Sequence, residues 1–331
     1  MTTARSNQID LSATPYYHCM TRCVRRSYLC GFDGSTGRDY SHRKPWIVSR
    51  IKYLASIFAI HVCAYAVMSN HYHLVLYVND EMASQWTDKE VQARWAELFP
   101  KDAKLLSTYS KKEATYKIAL WRHRLMDISW YMRCLNEKIA RASNKEDETK
   151  GRFWEGRFKS QALLDEGAIL SAMAYVDLNP IRAKVAESLE NSDFTSIQER
   201  LQCLAKQLNN SKSIDNTKQP KHLMPFTNHD LSKQKIPCVE FKLSDYVDLV
   251  DKTGRIIREG KRGSIPQNII PILTRLQLNP NEWLNMVRHL QSRFSYAIGH
   301  SAVLLEFNRD CRNYGPKGIQ TAQKCFMASS L

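Results

Sequence analysis

The sequence is short of several features that would assign it to a class. Its nine cysteines (Cys19, Cys23, Cys30, Cys63, Cys134, Cys203, Cys238, Cys311 and Cys325) form no Cys-x-x-Cys pair and follow no framework spacing. That argues against a disulfide scaffold and a thiolate zinc site, and it points to a reducing, cytoplasmic setting. No apolar run is long enough to cross a bilayer; the longest, LASIFAIHVCAYAVM, is interrupted by His61. The opening MTTARSNQID is polar and carries no sign of a secretory leader, so no membrane partner is expected. Acidic residues are the clearest shortage: 33 Asp and Glu stand against 48 Lys and Arg, a formal net charge of +15. A basic surplus along the whole chain favours a polyanionic partner, nucleic acid first, because displaced counterions drive such binding.

What is present is an ordinary soluble composition, 43% hydrophobic and 24% charged over 331 residues. That is long enough for two domains or one with an appendage. YYHCMTRCV, from Tyr16, mixes aromatic and polar residues as a half-buried strand does, and the stretch CGFDGSTGRDYSHRKP is a loop. Ile47, Ile51, Leu54, Ala55 and Phe58 recur at helical spacing. Two strand-like runs follow, AIHVCAYAVM and HYHLVLYV, joined at a tight turn, Ser69-Asn70. The opening order is strand, helix, strand, strand.

Residues 81–124 read as helical. A clearer helix runs from Asp127 to about Asn144, with Ile128, Met132, Leu135, Ile139 and Ala142 as its buried stripe. Another places Ile169, Ala172, Met173 and Val176 on one face. Asn179-Pro180 opens a further helix, with Asn as cap and Pro at the first position. The composition turns polar over 191–237, which reads as a linker. The part after it, 238–331, reads as a separate helical, basic region. In it Trp283, Met286, Val287, Leu290 and Phe294 form a stripe beyond a break at Leu278-Asn279-Pro280, as in a small DNA-binding module or any helical hairpin.

The chemical signal lies in VMSNHYHLVLYV. Side chains alternate along a strand, so His71 and His73 face one way while Tyr72, Leu74 and Leu76 face the other. Two imidazoles on adjacent pleats can hold one divalent cation; the alternative is a surface pair with no ligand. Downstream, GRFWEGRFKS interleaves Arg152, Arg157 and Lys159 with Phe153, Trp154 and Phe158. Cations can neutralise phosphates while rings stack on unpaired bases. An amphipathic hairpin with core aromatics and solvated cations would read the same way.

AYAVMSNHYHLVLYV resembles the His-hydrophobic-His hairpin of the HUH endonucleases, in particular of the single-tyrosine transposases. YYHCMTR, with His18 and Arg22, is similar to the first strand of that family. WYMRCLNEKIARASN lies where its catalytic helix does, and GRFWEGRFKSQALL and YVDLNPIRAKV resemble two later segments of its REP-associated branch. The resemblance spans about residues 14–190, an HUH-transposase-like domain over 1–190. It implies an α+β, ferredoxin-like fold, an antiparallel sheet with helices on one face, plus the helical C-terminal region. It also implies an Mg²⁺ or Mn²⁺ site built from His71, His73 and a third polar ligand, for which Asn144 and Glu137 are both candidates. The implied activity is metal-assisted cleavage and transfer of single-stranded or hairpin DNA, and a homodimer is implied too. Arg22, Arg152, Trp154, Arg157, Lys159 and Arg182 are the candidate DNA contacts.

The family's attacking tyrosine should stand four or five residues before Asn144, where this chain has Ile139 and Ala140. An alkyl group cannot attack phosphorus. Three alternatives stay open: Tyr131 of the same helix attacks, water attacks with metal assistance, or cleavage has been lost and a DNA- or RNA-binding protein remains. Tyr131 is turned about 80° from Ile139 and stands over about 10 Å along the axis.

Overall fold

The computed structural model describes residues 8–24, 27–34, 36–207, 214–227, 237–259, 266–311 and 318–327. The opening order holds: strand β1 (Tyr16–Arg22), helix α1 (Arg43–Ile57), β2 (Ile60–Val67) and β3 (His71–Val78). Helix α2 (Ile128–Glu146) and strand β4 (Lys159–Leu163) follow. Strands β2, β3, β1 and β4 lie side by side in that order, all antiparallel, which is the ferredoxin-like arrangement. The chain reverses between β2 and β3 at Ser69-Asn70, where Met68 donates to the His71 carbonyl at 2.8 Å. Gly31 lies against this turn so closely that a Cβ there would come within 2.3 Å of Ser69 Oγ.

Both faces of the sheet are covered. On one, α1 buries Ile47, Ile51 and Leu54, and α2 buries Ile128, Met132, Leu135 and Ile139. Asp127 caps α2, accepting from the Ser129 and Trp130 amides. Residues 80–124 form helices between the two, as their composition predicts. The other face is closed by helix α3 (Glu166–Asp177), which packs on β2, β3 and β4. Helices on one face describe α1 and α2; α3 adds a second layer. It is buried almost all round, so its single predicted stripe understates its contacts.

The stretch expected as a linker is structural where it is described. Ser196–Ala205 forms helix α5, after the one-turn helix α4 (Asn179–Arg182), and Leu223, Met224 and Phe226 are buried. Residues 208–213 and 228–236 of that stretch lie outside the described residues. The C-terminal region does not stand apart either. Helix α6 (Leu243–Glu259) is tied to α3 by Tyr246, whose hydroxyl donates to Asp177 Oδ2 at 2.6 Å. Helix α7 (Pro280–Arg293) packs on α3, with the Trp283 indole donating to Thr253 Oγ1 at 2.9 Å. Strand β5 (Ala297–Ile298) then joins the sheet parallel to β4. The break at Leu278-Asn279-Pro280 is as predicted, with Asn279 accepting from the Asn281 amide. None of the helices among the described residues is long and apolar enough to cross a membrane.

Candidate nucleic-acid groove and histidine cluster

The cross-strand register sets the site. Arg22 stands opposite His71, Met20 opposite His73, and His18 opposite both Val75 and Gln161. Pleating therefore puts Arg22, His18, His71, His73 and Gln161 on one face, the face that α3 covers. The His71 and His73 rings are 5.0 Å apart and nearly perpendicular. His18 lies parallel to His73 at 5.0 Å, and Tyr175 of α3 meets both rings edge-on, at 5.8 and 5.5 Å. His73 is 1% exposed and His18 2%, whereas His71 is half-buried.

Burial holds all three imidazoles in the neutral form. His18 and His71 are each lowered to about 4, the latter also by the Arg22 and Arg182 guanidiniums, and His73 is pushed well below its usual value. His71 Nδ1 lies 2.6 Å from Asn70 Oδ1, and its Nε2 lies 3.3 Å from the Asn179 amide nitrogen. Donation from Nδ1 to that oxygen leaves the His71 Nε2 lone pair accepting from Asn179. Neutral imidazoles on one side of the strand carry nitrogen lone pairs of the kind that can ligate a metal ion. No carboxylate joins them: no group of three or more His, Cys, Asp and Glu suited to a metal occurs among the described residues.

The expected partners on α2 do not reach this cluster. Tyr72 points away from the histidines and donates to Asn136 Oδ1 of α2 at 2.6 Å, so α2 lies on the opposite face. Tyr131 is 0% exposed there, its ring edge-on to Phe58 at 5.3 Å and its hydroxyl donating to the Ile51 carbonyl at 3.3 Å. It is a core residue and not a nucleophile. Asn144 donates to the Gly151 carbonyl at 2.9 Å, and Glu137 pairs with Arg133 and Arg141 along its own helix. Neither is a ligand of the histidine pair.

A groove of about 1210 Å³ opens on the histidine face. Its lining includes His18, Arg22, Arg152, Trp154, Arg157, Lys159 and Gln161 on one side, and Gln291, Arg293, Phe294 and Tyr296 on the other. Five of the six candidate DNA contacts thus share one concave surface, and no carboxylate lines it among the described residues. Arg152, Arg157 and Lys159 are exposed, while Phe153 and Phe158 are buried, so the amphipathic-hairpin reading holds for those two rings. Trp154 faces the groove with its indole nitrogen donating to the Asn136 carbonyl at 2.9 Å, which fixes the ring. Arg182 lies elsewhere: its guanidinium covers the Tyr175 ring at 3.8 Å and donates to the Tyr175 carbonyl at 3.0 Å, beside the histidines.

Sequence reading missed His18, Gln161, Tyr175 and Asn179 as members of the site. Asn179 is the first residue of α4 and makes no cap; its side chain turns to His71 instead. The signal for His18 and Gln161 was their alternation with apolar neighbours, which an ordinary half-exposed strand also shows.

No family model matches the chain, and no curated protein matches it. Among solved structures it is similar to a REP-associated tyrosine transposase bound to a REP hairpin, at 12% identity and a TM-score of 0.37, covering 69% of this chain and 100% of that one.

Proposed function

We propose that this chain binds single-stranded or hairpin DNA in the groove, with His71 and His73 holding a divalent cation, Mg²⁺ or Mn²⁺, behind His18, which lines it. One observation carries the reading: the basic groove and the histidine cluster share a sheet face, and His18 and Arg22 belong to both. Arg152, Arg157 and Lys159 would take backbone phosphates, and the fixed face of Trp154 would receive an unpaired base. The imidazole Nε2 atoms would hold the cation, and Asn179 could turn its amide oxygen inward from the position it now occupies. When bound, the cation would draw charge from a phosphate oxygen. Tyr131 is buried in the core, so the cut we propose is hydrolytic, with water attacking phosphorus and the leaving strand's oxygen taking up a proton.

A second reading is favoured by one observation: the Asn179 amide and two guanidiniums already surround His71. In that reading the chain binds nucleic acid without cutting it. Incubating a labelled hairpin oligonucleotide with the protein and Mn²⁺ decides between them. Cleavage that vanishes in the His71→Ala, His73→Ala double variant, with salt-sensitive binding retained, supports hydrolysis. Binding without any Mn²⁺-dependent product leaves only the second reading.

A further inference from the structure

Gln161 joins the histidine cluster to the C-terminal region. Gln161 donates from Nε2 to the Phe294 carbonyl at 2.9 Å, which turns its Oε1 toward His18 Nδ1, also 2.9 Å away. An amide oxygen only accepts, so a neutral His18 keeps its proton on Nδ1 and leaves Nε2 as an acceptor. His18 Nε2 is 2.8 Å from His73 Nδ1. The His73 proton therefore sits on Nδ1, and its Nε2 carries a lone pair. The anchor is firm: Phe294 ends α7 by donating to the Leu290 carbonyl at 3.1 Å, and two residues on, the Tyr296 carbonyl accepts from Ala162 of β4 at 2.7 Å.

We propose that His18 and Gln161 are positioning residues that, anchored on the Phe294 carbonyl, hold His73 as the Nδ1–H tautomer with Nε2 presented to a divalent cation. The inference rests on the reading of His71 and His73 as cation ligands, and it gives the C-terminal region a role in the site. A ligand histidine whose second nitrogen is unpartnered can rotate or change tautomer. Outer partners that prevent this contribute about 10–100-fold in metal affinity. Here the outer partner is another imidazole, itself fixed by an amide that the C-terminal segment orients.

The test uses the full chain, labelled with ¹⁵N at histidine and free of metal. Long-range nitrogen–proton correlation near neutral pH should show His73 protonated at Nδ1 and bare at Nε2. His18→Leu and Gln161→Leu should each release a population protonated at Nε2. His18→Gln should not, because its amide oxygen takes the place of the His18 Nε2 acceptor. In calorimetric titration with Mn²⁺, His18→Leu should bind about tenfold more weakly, Gln161→Leu severalfold, and His18→Gln close to wild type. A wild-type His73 protonated at Nε2 overturns the proposal before any variant is made. So do Leu variants that fold and keep both the tautomer and the affinity. Wild-type protein with the expected tautomers but no Mn²⁺ heat sinks the cation reading instead, while the nitrogen spectrum still decides the relay.

Discussion

Tyr131 and His73 lie on opposite faces of the same sheet. Tyr131 packs under β3 against Phe58, and His73 points from that strand toward Tyr175 of α3. No rotation of either side chain brings a hydroxyl to an imidazole through a closed layer of backbone. Tyr131→Phe therefore removes only one long hydrogen bond, to the Ile51 carbonyl. It should cost no more than about 1 kcal/mol of stability and leave any oligonucleotide cleavage unchanged. Urea denaturation and a cleavage gel check this together; a selective loss of cleavage would put the hydroxyl back in the chemistry.

In the proposed binding mode the groove cations act through charge. Replacing Arg152, Arg157 and Lys159 together by Ala removes three exposed positive charges from the groove and leaves the buried Phe153 and Phe158 in place. Affinity for a single-stranded oligonucleotide should fall, and the slope of its logarithm against log salt should become shallower by about 2. Anisotropy titrations over a range of salt concentrations measure both. Weaker binding at an unchanged slope would mean that these residues do not meet phosphates.

How much of this was legible in the sequence depends on what each pattern encodes. The order of the first strands and helix was legible because periods of 2 and 3.6 are local properties, and so was the shared side of His71 and His73. Which face of the sheet α2 would take was not legible, since the helix stripe says only that one side is buried. Tyr131 failed as a nucleophile for that reason. Gln161 and Asn179 were invisible because an amide on a strand, or before a proline, has common local explanations. The polar stretch after residue 190 misled differently: its composition suggested solvent, yet long-range hydrogen bonds tie some of its buried polar groups to the sheet.

Arg200 shows this last point. Fully buried on α5, it donates to the Cys63 carbonyl at 3.0 Å, the Met224 carbonyl at 2.9 Å and Gln219 Oε1 at 2.9 Å, with its guanidinium over the Phe226 ring. Arg200→Met would remove all three bonds and should destabilise the protein by about 3–5 kcal/mol. Arg200→Lys keeps the charge but loses the fork, and it should recover only part of this. If Met were tolerated within about 1 kcal/mol by chemical denaturation, the 191–227 stretch would be the loose connection its composition suggests.

Acid should unfold the protein through the same histidines that form the site. Burial, with neighbouring guanidiniums, holds His18 and His71 near about 4 and His73 well below its usual value. The unfolded chain titrates them near about 6.5. Between those limits the unfolded state binds protons that the folded state refuses, so stability is fully present above the window and is lost as pH falls through it. Asp177 runs the other way: burial holds its carboxyl up to about 6, so the folded chain takes up a proton as pH falls and offsets one histidine. His61, also lowered by burial, adds to the uptake, and Asp165 and Glu166, raised by burial, offset part of it, so unfolding still takes up protons through the histidines. Urea midpoints at pH 7, 6 and 5 should fall accordingly, and His18→Gln should flatten the decline by about one proton. Stability that stayed level from pH 7 to 5 would mean the imidazoles are not held neutral inside the fold, and the lone pairs assigned to them would go with it.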